Sequence, residues 1–529
     1  MKDRIQIYDS TLRDGAQGEN ISFSVEDKIN ITLALDKLGV DFIEAGNPGS
    51  NPKDLAFFDK IANYKLEKSK LVAFGSTRRK NIFAGDDSNV KSLLLANTEY
   101  IAIFGKSWDL HATKILNVSL EENLAMVKDT IEYLCQMGKK VVFDAEHFFD
   151  GYKNNPSYAM EVLSYAVNAG AVTLCLCDTN GGSFPNEITE IVKEVKKTFP
   201  NVDIGIHAHN DNGLGVANSI NAVLSGARQV QGTLVGFGER CGNANLSTII
   251  SNLQIKLGYP CLPEGNITDL TSTTLKVADI SNVTLSNTMP YVGASAFTHK
   301  AGMHADGVLK SSVSFEHINP EEVGNTRRFL LSEIAGKAAI VKKVKRYFPE
   351  LNKDSQEIAK IAARLKELEL QGYSFESAEA SFIIEVMMIL NKFKPSFELI
   401  SFKAINEQPH IEGNFATAVI KVRVGEKTEV CASEGDGPVN ALDKALRLAL
   451  SVFYPEIEDV KLVDYKVRVI QKNSTDATAS QVRVLITSTD GESIWSTVGV
   501  SVDIIEASWK ALVDSIEYKL KVKNILEKE

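Results

Sequence analysis

The stretch "IGIHAHNDNGLG" (204–215) is a short apolar run that ends in two histidines, and its reading decides what kind of sheet this chain builds. Side chains alternate between the two faces of a strand. His207 and His209 therefore share a face with Gly205, opposite Ile204, Ile206 and Ala208. The aliphatic face suits burial beneath a helix. The histidine face has two readings: satisfied core residues, or two ligands aimed at one metal ion. The surrounding chain has to choose between them.

Seven similar runs accompany this one between residues 4 and 257: "IQIYD", "FIEAG", "KLVAFGS", "YIAIFG", "KKVVFDAE", "VTLCLCDT" and "QVQGTLVG". Segments of helical periodicity separate them, and several open with a capping pattern: Ser24 is followed three residues on by Asp27, and Ser119 by Glu122. Eight strand-helix units of this length predict an α/β fold, the eight-stranded (β/α)8 TIM barrel, over residues 1–274. A doubly wound open sheet is the competing fold, but no G-x-G-x-x-G follows the first strand.

From 275 to 390 the strand alternation gives way to helical patterns, of which "EIAKIAARLKELELQG" is the clearest; a mainly helical linker subdomain is expected there. Residues 391–529 repeat one βββα pattern twice. Three strand-like runs lead into "PVNALDKALRLALSVF", and three more into "DIIEASWKALVDSIEYKLK". Such a duplication predicts a pseudo-twofold regulatory domain in which each half covers the other's sheet. It carries no cluster of catalytic residue types.

Composition excludes other classes. The chain has 529 residues and a net charge of −10, without a long basic run. The short "KKVKR" (342–346) sits in a helical pattern and reads as a solvated face, so no nucleic-acid partner is expected. The start "MKDRIQIYDSTLRDG" lacks the apolar stretch of a signal peptide, and no uncharged apolar window of about 18 residues follows, so no membrane partner is expected. The six cysteines are scattered rather than spaced as a disulfide framework, and Cys175 and Cys177 read as buried free thiols. A cytoplasmic protein is expected.

Barrel enzymes place their chemistry at the C-terminal ends of the strands. There the sequence offers Arg13 and Asp14 after the first strand, Glu44 at the end of the second, Asp144 and Glu146 on the inward parity of the fifth, and Thr179 after the sixth. Glu239, Arg240 and Asn243 follow the eighth, in a glycine-rich loop. Each alone reads as a salt bridge or cap. Converging on one mouth with His207 and His209, they point to a metal-dependent site.

"DSTLRDGAQG", "HAHNDNGLGVANS" and "GFGERCGNANL" resemble the signatures of the synthases that condense an acyl-CoA with a 2-oxo acid, the isopropylmalate, homocitrate and citramalate synthase family. "HKAGMHADGVLK" (299–310) resembles their linker motif, and "GDGPVNALDKAL" (435–446) their C-terminal amino-acid-sensing domain. "GNPGSNPKD" and "VVFDAEHFFDGYKNNP" resemble most the long citramalate-forming branch. The resemblance implies Asp14, His207 and His209 as ligands of a divalent metal (Mn2+, Mg2+, Zn2+ or Co2+), with Asn243 as a further ligand. It implies that Arg13 holds and polarises the keto oxygen and that Thr179 binds the 2-oxo acid carboxylate. Glu44 and Asp144 are expected beside the substrate, Glu146 as a catalytic carboxylate, and His304 reaching the active site of a partner subunit in a homodimer. Many relatives carry a tyrosine where this chain has Phe315, so a role of that hydroxyl in activating water would pass to His304 or another group.

The implied reaction joins acetyl-CoA to pyruvate and hydrolyses the thioester, with either Glu146 or His304 as the base, and isoleucine is the implied feedback inhibitor. The rivals are a 2-isopropylmalate synthase using 2-oxoisovalerate, a lyase of the same barrel superfamily, and a non-catalytic amino-acid sensor. The sensor would require the metal ligands to be lost, and all are present.

Overall fold

Eight parallel strands close into a barrel in sequence order in the computed structural model, which describes residues 2–299, 302–329, 337–411, 414–470 and 480–523. They are β1 (Gln6–Asp9), β2 (Phe42–Gly46), β3 (Lys70–Ser76), β4 (Tyr100–Lys106), β5 (Lys140–Glu146), β6 (Thr173–Asp178), β7 (Asp203–Ala208) and β8 (Gln229–Gly232). The register between β1 and β8, from Gln6 opposite Gln229 to Asp9 opposite Gly232, completes the closure. All eight expected runs form these strands.

The expected caps form as well. Ser24 Oγ accepts from Asp27 N while Asp27 accepts from Ser24 N, which opens the helix Val25–Leu38; Ser119 Oγ accepts from Glu122 N at the start of Leu120–Gln136. Strand parity then sorts the core into two layers. Ile204, Ile206 and Ala208 join the layer between barrel and helices, as Ile43, Ile101, Phe143 and Leu174 do on other strands. Tyr8, Phe42, Val72, Ala102, Val142 and Cys175 fill the barrel interior. Near the C-terminal strand ends the interior turns to ionisable and amide side chains, where Glu44, Asp144, His207 and Gln231 follow on the same inward parity and are all buried.

A buried ion pair fixes the end of β2. Lys28 donates to the carbonyl of Ala45 at 2.8 Å and pairs with Asp54, whose other oxygen accepts from Asn47 N at 2.8 Å. Gly46 lies between them at φ +146°, and a Cβ there would meet the Asp54 carboxylate at 2.3 Å.

The contacts divide the chain into two compact units, residues 1–297 with 317–327 and residues 298–316 with 328–529. The boundary expected at 274 falls inside the helix Leu270–Ile280, which packs on Val25–Leu38 and buries Leu270, Val277 and Ala278 in the barrel core. The segment after it, expected to be helical, is irregular through Phe297 and contributes Tyr291, Val292 and Phe297 to the same core.

In the second unit β9 (Thr298–His299) pairs in parallel with β10 (Arg328–Phe329), and helices span Gly302–Lys310, Lys337–Val344, Gln356–Leu370 and Glu379–Ile389. Lys300 and Ala301 of the expected linker motif lie outside the described residues. The duplication is present: β11 (Glu398–Ile411), β12 (Asn414–Val424) and β13 (Lys427–Gly435) precede the helix Pro438–Ser451, and β14 (Lys461–Ile470), β15 (Gln481–Thr489) and β16 (Ile494–Ser501) precede Ile504–Glu517. One expectation needs correcting. Each helix packs chiefly on the sheet of its own half, and the second also meets its partner's sheet, Trp509 lying against Phe402 with ring centres 5.4 Å apart. A glycine on the third strand permits this in both halves: a Cβ on Gly435 would meet Ala441 N at 2.5 Å, and one on Gly499 would meet Ala507 O at 1.9 Å. Helix Glu379–Ile389 also packs on β16 and on Ile504–Glu517, with Ser381 Oγ accepting from Val498 N at 2.9 Å, so the described contacts cross the boundary expected at 390. Among the described residues no helix is long and apolar enough to cross a membrane.

Replacing Lys28 by Met leaves Asp54 buried without its cation, a loss of about 3–5 kcal/mol for a broken buried pair. Urea unfolding of Lys28→Met followed by barrel tryptophan fluorescence is expected to show a barrel transition shifted to markedly lower denaturant.

Candidate active site

The turn after β1 carries Arg13 and Asp14 into the barrel mouth, where the N–H groups of both donate to Ser10 O at 3.1 and 2.9 Å. Asp14 Oδ2 lies 3.4 Å from His207 Nε2 and 3.9 Å from His209 Nε2, and the two Nε2 atoms are 3.2 Å apart. All three side chains are buried, and their donor atoms lie within 4.8 Å of one another. Asn243 joins them from the loop after β8, its Nδ2 donating to Asp14 Oδ1 at 3.0 Å. A short bridge between His209 and Asn243 holds that loop, with Asn243 N donating to Gly236 O at 3.0 Å. A Cβ on Gly242 would stand 2.2 Å from Gly236 O, so the loop closes only with glycine there.

The electrostatics suit a cation. Burial pushes the Asp14 carboxyl up, but Arg13 and the two histidines overcome it and hold it well below the usual carboxylate range. Burial and neighbouring His207 lower His209 to about 4, so its ring is neutral. His207 Nδ1 faces Gln231 Oε1 at 3.1 Å, and Gln231 Nε2 in turn donates to Asp144 Oδ1 at 3.1 Å. Gln231 therefore accepts from Nδ1–H, which aims Nε2 of His207 at His209 and Asp14; burial would lower this ring, but Asp14 outweighs it and raises it above the usual imidazole range, so a bound cation takes the place of the Nε2 proton. Asn243 Oδ1 is buried without a hydrogen-bond partner. Two imidazole nitrogens, one carboxylate and an unpartnered amide oxygen fit a divalent ion.

Arg13 is held on three sides. Its Nε donates to Glu44, its Nη1 to Asp14 at 2.9 Å, and its guanidinium carbon stands 3.8 Å from the centre of the Phe74 ring. Glu44, expected beside the substrate, is fully buried, accepts from Tyr8 Oη at 2.7 Å as well as from Arg13, and serves to hold Arg13. Asp144 does border the cavity, and burial with help from Glu44 raises it to about 7. Thr179 Oγ1 accepts from His147 N at 2.8 Å, and Glu146 pairs with Lys106. Arg13, Asp14, Asp144, Glu146, Thr179 and the two histidines line a cavity of about 230 Å³, walled by Phe74 and Phe104.

His304 is not among them; it belongs to the second unit, on the exposed side of Gly302–Lys310, stacked on Phe315 with ring centres 4.3 Å apart. Cys175 and Cys177 are free and buried in the barrel interior, as expected. Sequence reading missed Gln231, Lys106, Phe74 and Phe104. Gln231 had a signal, a polar residue at an inward position of "QVQG"; the other three mark strand ends but carry no motif.

Residues 4–283 match the family described as HMGL-like, residues 291–372 that described as homocitrate synthase post-HMGL domain-like, and residues 376–520 the LeuA allosteric (dimerisation) domain. The chain is 50% identical over 521 residues to the (R)-citramalate synthase of Aquifex aeolicus, covering 98% of each chain. It is 47% identical over 517 residues to that of Geobacter sulfurreducens, covering 98% of this chain and 97% of the other. Identity to the 2-isopropylmalate synthase of Pyrococcus furiosus is 31% over 523 residues, covering 98% of this chain and 99% of the other.

His207→Ala and His209→Ala are each expected to abolish retention of a divalent metal through gel filtration, measured by elemental analysis. Gln231→Leu, which leaves every ligand in place but frees the His207 ring, is expected to weaken metal affinity by about 10–100-fold.

Proposed function

The chain belongs to the family of HMGL-like (R)-citramalate synthases, and we propose that it condenses acetyl-CoA with pyruvate and water to give (R)-citramalate and CoA. The observation that carries this reading is the convergence of Asp14, His207 and His209 beside Arg13 in one cavity. A divalent ion held by those three residues, with Asn243 Oδ1 as a further donor, supplies Lewis-acid polarisation of the 2-oxo acid.

The chain's own groups do the rest. Arg13 spends one donor on Glu44 and one on Asp14, and its remaining N–H groups are left for the keto oxygen. Thr179 accepts from a backbone N–H, so its own hydroxyl hydrogen is available to the substrate carboxylate. Glu146 is tied by its carbonyl, which accepts from Ser107 Oγ at 2.6 Å, and its carboxylate reaches the cavity as the proton acceptor for the acetyl methyl group. His304 assists the water that hydrolyses the thioester, delivered from the partner chain of a homodimer. Phe74 and Phe104 stack with ring centres 5.4 Å apart on the cavity wall beside Arg13. That wall favours the methyl group of pyruvate over a branched side chain.

The duplicated domain is proposed to bind isoleucine and inhibit the enzyme. Asp503 already caps Ile504–Glu517, accepting from Ile505 N at 2.7 Å, so the N-terminus of the second helix is taken. Pro438–Ser451 follows Gly437, which offers no capping side chain, and its first turn is the better seat for an amino-acid carboxylate.

A thiol assay for CoA release with a panel of 2-oxo acids tests the reading. Chelated enzyme is expected to be inactive and to recover with Mn2+ or another divalent ion. Pyruvate is expected to exceed 2-oxoisovalerate in kcat/KM by about 100-fold or more, since each excluded methylene costs about 1–3 kcal/mol. Equal use of 2-oxoisovalerate would move the assignment to 2-isopropylmalate synthesis. Millimolar isoleucine is expected to slow the intact enzyme and to leave a chain ended at residue 390 unaffected, provided the shorter chain retains activity.

A further inference from the structure

Removing a proton from the acetyl methyl group leaves a negative charge that has to be stabilised at the thioester oxygen. Arg13 is already committed to Glu44 and Asp14, with its remaining donors on the 2-oxo acid. The next cation is Lys106, the last residue of β4, whose register sets it directly opposite Glu146 on β5. Its ammonium rests on the Glu146 carboxylate, and both side chains are largely shielded, at 13% and 23% exposure. The two backbones are anchored independently of the pair: Asn123 Nδ2 donates to Lys106 O at 2.8 Å, and Ser107 Oγ donates to Glu146 O at 2.6 Å. Lys106 also lines a second cavity of about 410 Å³, walled by Leu116, Val118 and Met126, which shares Phe104 with the catalytic one. The pair thus stands where a thioester can approach Glu146 while the 2-oxo acid occupies its seat beyond Phe104.

We propose that Lys106 is a catalytic residue whose ammonium holds the thioester oxygen of acetyl-CoA and neutralises the enolate, an inference that rests on the condensing reaction above with Glu146 as the proton acceptor. At the start the Glu146 carboxylate neutralises Lys106. As a methyl C–H bond breaks, its proton forms an O–H bond on Glu146, its electron pair becomes the enolate C=C bond, and the thioester C=O pair moves onto oxygen. Glu146 turns neutral as the enolate turns anionic, so Lys106 exchanges one counter-ion for another and the net charge of the site does not change. Through proton removal, therefore, no charge is left unpaired in the shielded pocket. Attack of the enolate carbon on the keto carbon restores the thioester C=O. The proton on Glu146 then passes to the alkoxide formed from the keto oxygen, and the Lys106–Glu146 pair returns.

The test uses the full-length, Mn2+-loaded enzyme, with Lys106→Met and Lys106→Arg compared to wild type by CoA release from acetyl-CoA and from its trideuterated methyl form. Lys106→Met is expected to lower kcat by about 100-fold or more, to leave KM for pyruvate within about threefold, and to raise the deuterium isotope effect as proton removal becomes limiting. Lys106→Arg, which keeps the charge and the ion pair, is expected to recover at least about tenfold of the loss. A Lys106→Met enzyme within about threefold of wild type overturns the proposal, as does a slower one with an unchanged isotope effect. If Lys106→Met does not fold, judged by its thermal melt, Lys106→Gln replaces it under the same criteria. Wild-type enzyme that releases no CoA with pyruvate would instead remove the reaction on which the inference rests.

Discussion

The carboxylate of Asp14 holds its charge almost wholly buried in the wall of the cavity, and the barrel mouth is arranged around that fact. A buried anion survives only beside cations or donors. Arg13 supplies one, Asn243 a second, and the paired histidines a place for a third. Each of these groups then needs its own support. Glu44 and Tyr8 hold Arg13 from below, while Gln231 holds His207 and ties it to Asp144. The polar network therefore runs across five of the eight strands or their ends, and it can exist only in a closed barrel that brings β1 beside β8.

The polar residues of the mouth divide by task. Glu44 and Gln231 touch other side chains and set their geometry, whereas Arg13, Glu146 and Thr179 present atoms to the cavity. Asp144 stands between the two groups, bordering the cavity yet raised to about 7 by burial and by Glu44. A carboxyl poised in this way is a poor permanent anion. Thr179 owes its orientation to the backbone of His147, a residue at φ +54° just past β5. The strained turn thus aims a hydroxyl on the next strand.

The duplicated domain works by a different principle. Its two sheets carry outer positions where charged residues alternate with exposed aliphatic ones such as Val430 and Val469, and an inner face that meets a helix of small and medium apolar residues, Ala441, Leu442, Ala445 and Leu446 in the first half and Ala507, Ala511 and Leu512 in the second. Close packing of each helix on its own sheet needs a residue without a side chain on the third strand, and Gly435 at the end of β13 and Gly499 within β16 meet that need. The two halves differ at the helix starts, where Asp503 caps one and Gly437 precedes the other. Equal folds with unequal helix ends make the two sites chemically distinct.

The sequence by itself determined the number and order of the barrel strands, the face on which His207 and His209 lie, the caps at Ser24 and Ser119, and the βββα repeat. These are local properties: a two-residue period, a three-residue spacing and a repeated pattern are complete within a few residues of chain. Tertiary structure decided that Glu44 belongs to Arg13 and not to the substrate, that Gln231 orients His207, that Lys106 answers Glu146, and that the barrel unit continues past residue 274. Each of these is a pairing between residues distant in sequence. A period says which face a side chain occupies, but which partner stands opposite depends on strand register and on how the barrel closes, and many partners along the chain satisfy the same period.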